Sequence, residues 1–199
     1  FIISNLLKTL SLKSVPTYDL RLKTYDSLLI GVNLWLKPLF SSMIWDCIML
    51  HVCLVEPEIP PNTGNIARLC AATFTNLHIV GVTGFRLDEK AVRRAGLDYW
   101  DEIKLFRHRN LESLYEALPD SRFLYFTTKS ERSYTDWEYQ DNDCLVFGRE
   151  TRGLPEELLK ANWERSLTIL MPNKNVRSLN LANSVGIVLY EALRQCKIF

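Results

Sequence analysis

From about Met49 onward, short apolar runs alternate with segments whose apolar residues recur at helical spacing. Five runs, Leu50–Val55, Leu77–Val82, Phe123–Thr127, Cys144–Phe147 and Leu167–Met171, are continuous, as expected of strands buried on both faces of a parallel sheet. Between them, Ile66–Thr73, Lys90–Arg94, Leu111–Leu118 and Glu156–Lys160 carry helical patterns, and a long helix from about Asn180 to Cys196 closes the chain. Such alternation predicts an α/β domain, a mostly parallel sheet with helices on both faces. Ligands of these sheets sit beyond the carboxyl ends of the strands, so the loops that follow strands are where chemistry is expected.

The pattern breaks before Met49. Residues 1–48 hold five basic and three acidic residues, no Glu, and irregular apolar clusters such as Leu34-Trp35-Leu36. They are expected to be an N-terminal extension to a domain over 49–199, either the product of an overextended gene start or a targeting segment, which leaves organellar targeting open. A secretory signal would need a small-residue cleavage site after its apolar stretch, and none is visible. Without a run of about 18 apolar residues, no membrane span is expected, and a cytoplasmic location fits.

Composition changes this picture only slightly. Apolar residues make up 47% and charged residues 24%, and the net charge is +1, so any nucleic-acid contact must come from a local patch. The five cysteines are scattered, with no C-x-x-C pair and no histidine at ligand spacing; reduced, mostly buried thiols and no metal are expected.

Three loops are richer in Gly, Asn, Ser and Arg than a simple connection requires. The first, Glu56-Pro57-Glu58-Ile59-Pro60-Pro61-Asn62-Thr63-Gly64-Asn65, leads into a helix carrying Arg68; Asn62, Thr63 or Asn65 are candidate caps, and Arg68 would fall about one turn inside. That arginine either faces a ligand or pairs with Glu56 or Glu58. The second, Gly148-Arg149-Glu150-Thr151-Arg152-Gly153, has two glycines that let backbone approach a ligand and a Glu150 that can accept from amide or amine donors, with Pro155 and two acids starting a helix. It matches neither G-x-G-x-x-G nor the P-loop, which disfavours a nicotinamide-dependent oxidoreductase. In the third, Met171 to Ser184, Ser178 is the expected N-cap, and Asn180 and Asn183 would share one helix face.

Taken in order, Asn62-Thr63-Gly64-Asn65-Ile66-Ala67-Arg68, Phe147 to Pro155 and Ser178 to Val185 resemble the three signature motifs of the SPOUT (SpoU–TrmD) RNA methyltransferases. Glu56 to Asn65 and Arg93-Arg94-Ala95-Gly96-Leu97-Asp98-Tyr99 are similar to the small tRNA (cytidine/uridine) wobble 2′-O-methyltransferases of that class, over about Met49 to Gln195. The resemblance implies S-adenosyl-L-methionine as cofactor, a C-terminal deep trefoil knot, a homodimer, and methylation of the ribose 2′-OH of the wobble nucleotide in the tRNA anticodon stem-loop. The alternative within the fold is another tRNA or rRNA site. Carried over by motif, the cofactor residues are Phe126, Thr127, Gly148, Glu150, Met171 and Ser178. Phe126 stands where an aliphatic residue is usual, and Arg149 where Pro is.

The chemistry asks for alignment of a hydroxyl with an already activated methyl group and removal of a proton. The resemblance puts Arg68 beside the attacking hydroxyl, where a permanent cation is suited to a developing alkoxide or a phosphate rather than to base catalysis. Ser178 and Asn180 are candidates for orienting the hydroxyl and the cofactor. The basic concentration of Lys90, Arg93, Arg94, Lys104, Arg107, His108 and Arg109, with Arg152 from the second loop, is the expected RNA surface, or else a solvated charged face. Tyr99 and Trp100 can stack an unpaired base or pack in the core. A non-catalytic RNA-binding module would keep the patch and lack the cofactor.

Overall fold

Residues 49–85, 102–173 and 175–197 are described by the computed structural model, all within the unit Met43–Phe199. The predicted helix at Lys90–Arg94, and with it Lys90, Arg93, Arg94, Tyr99 and Trp100, lies outside them.

The strands are β1 (His51–Val55), β2 (Asn76–Val80), β3 (Leu105–His108), β4 (Phe123–Phe126), β5 (Cys144–Phe147) and β6 (Ser166–Leu167). The described helices longer than a single 3₁₀ turn are α1 (Pro60–Ala72), α2 (Leu111–Ala117), α3 (Glu156–Ala161) and α4 (Leu181–Gln195). One sheet runs β3-β2-β1-β5-β4-β6, with every neighbouring pair parallel.

The two-residue period of the strands divides the interior into two cores. Val52, Leu54, Leu77, Ile79, Leu124, Phe126, Leu145 and Phe147 pack with α1 and α4 on one face. Cys53, Val55, Val80, Tyr125, Cys144 and Val146 pack with Leu114 of α2 and Leu159 of α3 on the other. Helix α4 buries Val185, Val188, Leu189, Ala192 and Leu193, an i, i+3, i+4, i+7, i+8 stripe. Each large side chain in it contributes about 1.5–3 kcal/mol by leaving water. Cys53, Cys70 and Cys144 are buried free thiols and Cys196 is half-buried. No helix among the described residues is long and apolar enough to cross a membrane.

Three local expectations are corrected. Helix α1 begins at Pro60 rather than near Ile66, because Pro60 and Pro61 occupy the first positions, where no amide is needed by the helix. Asn62, Thr63 and Asn65 therefore lie inside α1 and do not cap it; Ile59 is the N-cap, with no side-chain bond. The N-cap of α4 is Asn180, not Ser178: its Oδ1 accepts from the amides of Ala182 at 2.9 Å and Asn183 at 3.3 Å. Asn180 and Asn183 thus do not form a pair on one helix face. The run at Leu167–Met171 pairs in the sheet only at Leu167, the end of β6, with Thr168 bridging Ser133; Ile169 and Met171 leave the sheet to line a cavity, and Leu170 is exposed.

Strand β3 was not expected at all. It is a four-residue edge strand whose Phe106 and Arg107 are exposed, so it carries no apolar run. Its pairing with β2 completes a row of all three histidines of the chain. His51 Nε2 bonds Asn142 Oδ1 at 3.0 Å, His51 Nδ1 meets His78 Nε2 at 2.9 Å, and His78 Nδ1 meets His108 Nε2 at 2.9 Å. An amide oxygen only accepts, so His51 carries its proton on Nε2, and neutral His78 and His108 donate in turn through Nε2. Phe106 stacks on His78 with centroids 5.0 Å apart.

Candidate active site

At the carboxyl ends of β4, β5 and β6 the chain lines an open cavity of about 760 Å3. That lies within the roughly 300–1,000 Å3 range of small-molecule sites. Its apolar wall is built by register: β4 and β5 place Phe126 opposite Phe147, and the rings stack at 4.7 Å with 13° between planes. The aromatic residue at 126, unusual for the resembled class, has found a partner that an aliphatic side chain would lack.

The opposite wall is the loop Gly148–Gly153, closed by a pair of backbone bonds between Arg149 and Gly153 at 2.8 and 3.3 Å. The crossing backbone leaves no space at Gly148, where a Cβ would fall 2.2 Å from the carbonyl carbon of Gly153. Gly153 itself has φ +69°, a left-handed conformation that glycine adopts at no steric cost.

This loop is fastened to the one before α1. Glu150 Oε2 accepts from the amide of Glu58 at 2.8 Å, and its Oε1 from the amide of Ile59 at 3.2 Å and from Asn62 Nδ2 at 3.0 Å. Burial pushes the Glu150 carboxyl up, but the bonds from Asn62 and from the amides of Glu58, Glu150 and Ile59 outweigh it and hold the pKa below the usual carboxylate value. Glu58 Oε2 accepts from Thr151 Oγ1 at 2.7 Å, and Arg149 pairs with Glu56. Asn62 Oδ1 then accepts from Asn180 Nδ2 at 2.9 Å. A continuous relay, Glu150–Asn62–Asn180, therefore joins all three loops.

The expected site residues divide clearly. Phe126, Thr127, Gly148, Glu150, Met171, Ser178, Asn180 and Arg152 all line the cavity. Asn180 spends its oxygen on the helix cap and one N–H on Asn62, leaving one amide hydrogen for a ligand. Arg68 does not line the cavity. With α1 starting at Pro60, it lies eight residues in, about 12 Å along the axis, on an exposed face. Glu56 pairs with Arg149. Arg107 is exposed on the edge strand; burial lowers the His108 pKa, opposed by a hydrogen bond to the backbone of Ser113.

Sequence reading missed Asn62 as the link of the relay, and Glu58 and Arg149 as fasteners. Asn62 had shown itself only as a candidate cap. Lys129 and Arg177 also line the cavity without having been singled out. Among the described residues no three His, Cys, Asp or Glu side chains converge on a metal position.

The chain is 48% identical over 148 residues to the tRNA (cytidine(34)-2′-O)-methyltransferase of Escherichia coli K12, a match covering 74% of this chain and 94% of that protein. A structure described as giving insights into the 2-OH methylation of C/U34 on tRNA superposes with a TM-score of 0.69 at 45% identity, over 74% of this chain and 96% of that one. An AdoMet-bound rRNA methyltransferase from Sinorhizobium meliloti superposes at 0.63 with 25% identity, over 76% and 59%. Residues 49–190 match the SpoU rRNA Methylase family, taking in every strand described above and most of α4, and the chain belongs to that family.

Proposed function

We propose that this protein transfers a methyl group from S-adenosyl-L-methionine to the ribose 2′-OH of the wobble nucleotide, cytidine or a modified uridine, in the tRNA anticodon. The observation that carries the reading is the nearly end-to-end match to the wobble enzyme of E. coli, 94% of that protein at 48% identity. The rRNA enzyme aligns over only 59% of its length at 25% identity, so an rRNA target is the weaker reading.

The residues present suit the cofactor. The stacked Phe126 and Phe147 offer a flat apolar wall for a nucleoside, Gly148 brings backbone close, and Thr127, Met171 and Ser178 complete the enclosure. The bound cofactor supplies the activated methyl group; the chain's own part is to align the hydroxyl and exclude competing orientations. Asn180, fixed by Asn62 and by its own cap, presents one amide N–H, and Ser178 presents a hydroxyl. Arg68 is assigned to the developing alkoxide or the adjoining phosphate, acting from outside the cavity lining. Arg107 and Arg152, with Arg93 and Arg94, are assigned to the anticodon stem-loop; His108, neutral and tied to His78, contributes hydrogen bonding there rather than charge.

The same reading includes a cytoplasmic homodimer and a trefoil knot at the C-terminus. Ile187 and Tyr190 on α4 expose apolar surface suited to a second copy. The test is mass spectrometry of tRNA nucleosides after incubation with the protein and labelled cofactor. Label on the wobble ribose is expected; label at another tRNA or rRNA ribose would overturn the wobble assignment, and none at all would favour a binding module.

A further inference from the structure

Four cationic side chains line the cavity, Lys129, Arg149, Arg152 and Arg177. Lys129 is neutralised by Glu156 at 2.7 Å and Arg149 by Glu56. Of the carboxylates beside the first cavity, Glu150 is engaged by Asn62 and two amides and Glu58 by Thr151. Arg152 and Arg177 are exposed, and among the described residues neither is paired with a carboxylate. Two permanent charges are thus left at the mouth.

Arg177 is distinguished by its place. It immediately precedes Ser178, and it also lines a second cavity of about 530 Å3, where Ser130, Thr168 and Asn173 add neutral polar groups and Glu131 a carboxylate, so that Arg177 supplies the cavity's positive charge. The two cavities meet along Thr128, Ile169, Met171 and Arg177. A ribose whose 2′-OH lies beside Ser178 and Asn180 carries its 3′-phosphodiester on the adjacent carbon. A planar guanidinium next to Ser178 is therefore within reach of that phosphate and matches it bidentately. Taking the proposed ribose methylation as its basis, we infer that Arg177 clamps the phosphodiester 3′ to the methylated ribose, and that the second cavity receives the nucleotide following it. Arg177 is in this account a positioning residue: it holds the substrate backbone so that the hydroxyl faces the cofactor.

The carboxylate of the cofactor is the rival occupant, and one experiment separates the two. Methyl transfer by the full chain is measured on two anticodon stem-loop RNAs, one natural and one with an uncharged methylphosphonate at the linkage 3′ to the wobble nucleotide. For Arg177→Ala the KM for natural RNA should rise about 10- to 100-fold, the equivalent of one charge-assisted hydrogen bond. The log–log salt dependence of RNA binding should flatten by about one unit, and Arg177→Lys should recover part of the loss. The wild type should lose affinity on the methylphosphonate RNA, whereas the alanine variant should lose none further. Cofactor affinity by calorimetry and the thermal midpoint should stay as in the wild type. Additive losses, or a variant whose defect lies in cofactor binding, would overturn the assignment. A wild type that leaves the wobble ribose of the natural RNA unmethylated would overturn the functional reading beneath it; normal wild-type activity with an unaffected variant would remove the clamp alone.

Discussion

Two of the polar networks among the described residues are built to opposite ends. Glu150–Asn62–Asn180 lines an open cavity, draws on loops, keeps a full negative charge and leaves donors unspent. His51–His78–His108 crosses three adjacent strands, is closed by Asn142 at one end, and is neutral. Burial drives the pKa of His78 down to about 3, helped by its two histidine neighbours, and lowers those of His51 and His108 as well. A network open to a ligand is held together incompletely, with valences pointing into space; one within the sheet spends its N–H donors on its own members.

The largest expected effect comes from filling the tightest point of the first network. Gly148→Ala places a methyl group against the backbone of Gly153 and Leu154, which cannot yield without opening the loop. Calorimetry should find cofactor binding lost. Gly153→Ala meets open space and only the strain of its positive φ, about 1–2 kcal/mol, and should still bind. Equal behaviour of the two variants would deny that Gly148 shapes the cavity wall.

Arg68→Ala should slow single-turnover transfer by about 10²- to 10³-fold, as for loss of one group that stabilises a developing oxyanion, with cofactor affinity unchanged because Arg68 lies outside the cavity lining. Normal transfer, or a failure to bind cofactor, would reassign it.

Next is the centre of the relay. Asn62→Ala strands the amide of Asn180 and should cost about 1–3 kcal/mol in chemical denaturation. Asn62→Asp should cost more, since a second carboxylate would then face Glu150 where an amide donor stood. An aspartate variant as stable as the alanine one would show that the charge on Glu150 is not confined as described.

The histidine row gives the smallest effect at neutral pH and a growing one in acid. His78 takes up a proton readily when unfolded, near pH 6.5, but only near pH 3 when folded. Its contribution is therefore complete above about pH 6.5 and is lost as the pH falls toward 3. The melting temperature should decline through that window, and His78→Gln should flatten the decline while costing little at pH 8. Parallel pH profiles would dissociate the row from acid stability.

The contrast also explains what could be read in advance. The cavity residues announced themselves because Gly, Asn and Arg clustered in loops directly after apolar runs, and the residues of each loop are neighbours in sequence. Histidines 51, 78 and 108 stand 27 and 30 positions apart, and only the pairing of β1 with β2 and β2 with β3 brings them together. Strand β3 was illegible because an edge strand needs no apolar run. Helix α1 was shortened because two prolines suggest a loop when helix starts accept them. The position of Arg68 along the helix shifted with it, from about one turn inside the start to eight residues in.

The fastening of the three loops also sets when the site comes into being. Arg149 and Glu56 are 93 residues apart, and Asn180 and Asn62 are 118 apart. Contacts of that span close only after β1 and β5 have paired and α4 has docked, since long loops are brought together late. A chain emerging from the ribosome has all six described strands before residue 180 is available, so it passes through a stage with both aromatic rings in place and the cavity lacking its third loop. A ligand of this cavity, such as the proposed cofactor, would therefore meet nothing to hold it until the last helix arrives, and would stabilise the finished protein rather than guide its assembly.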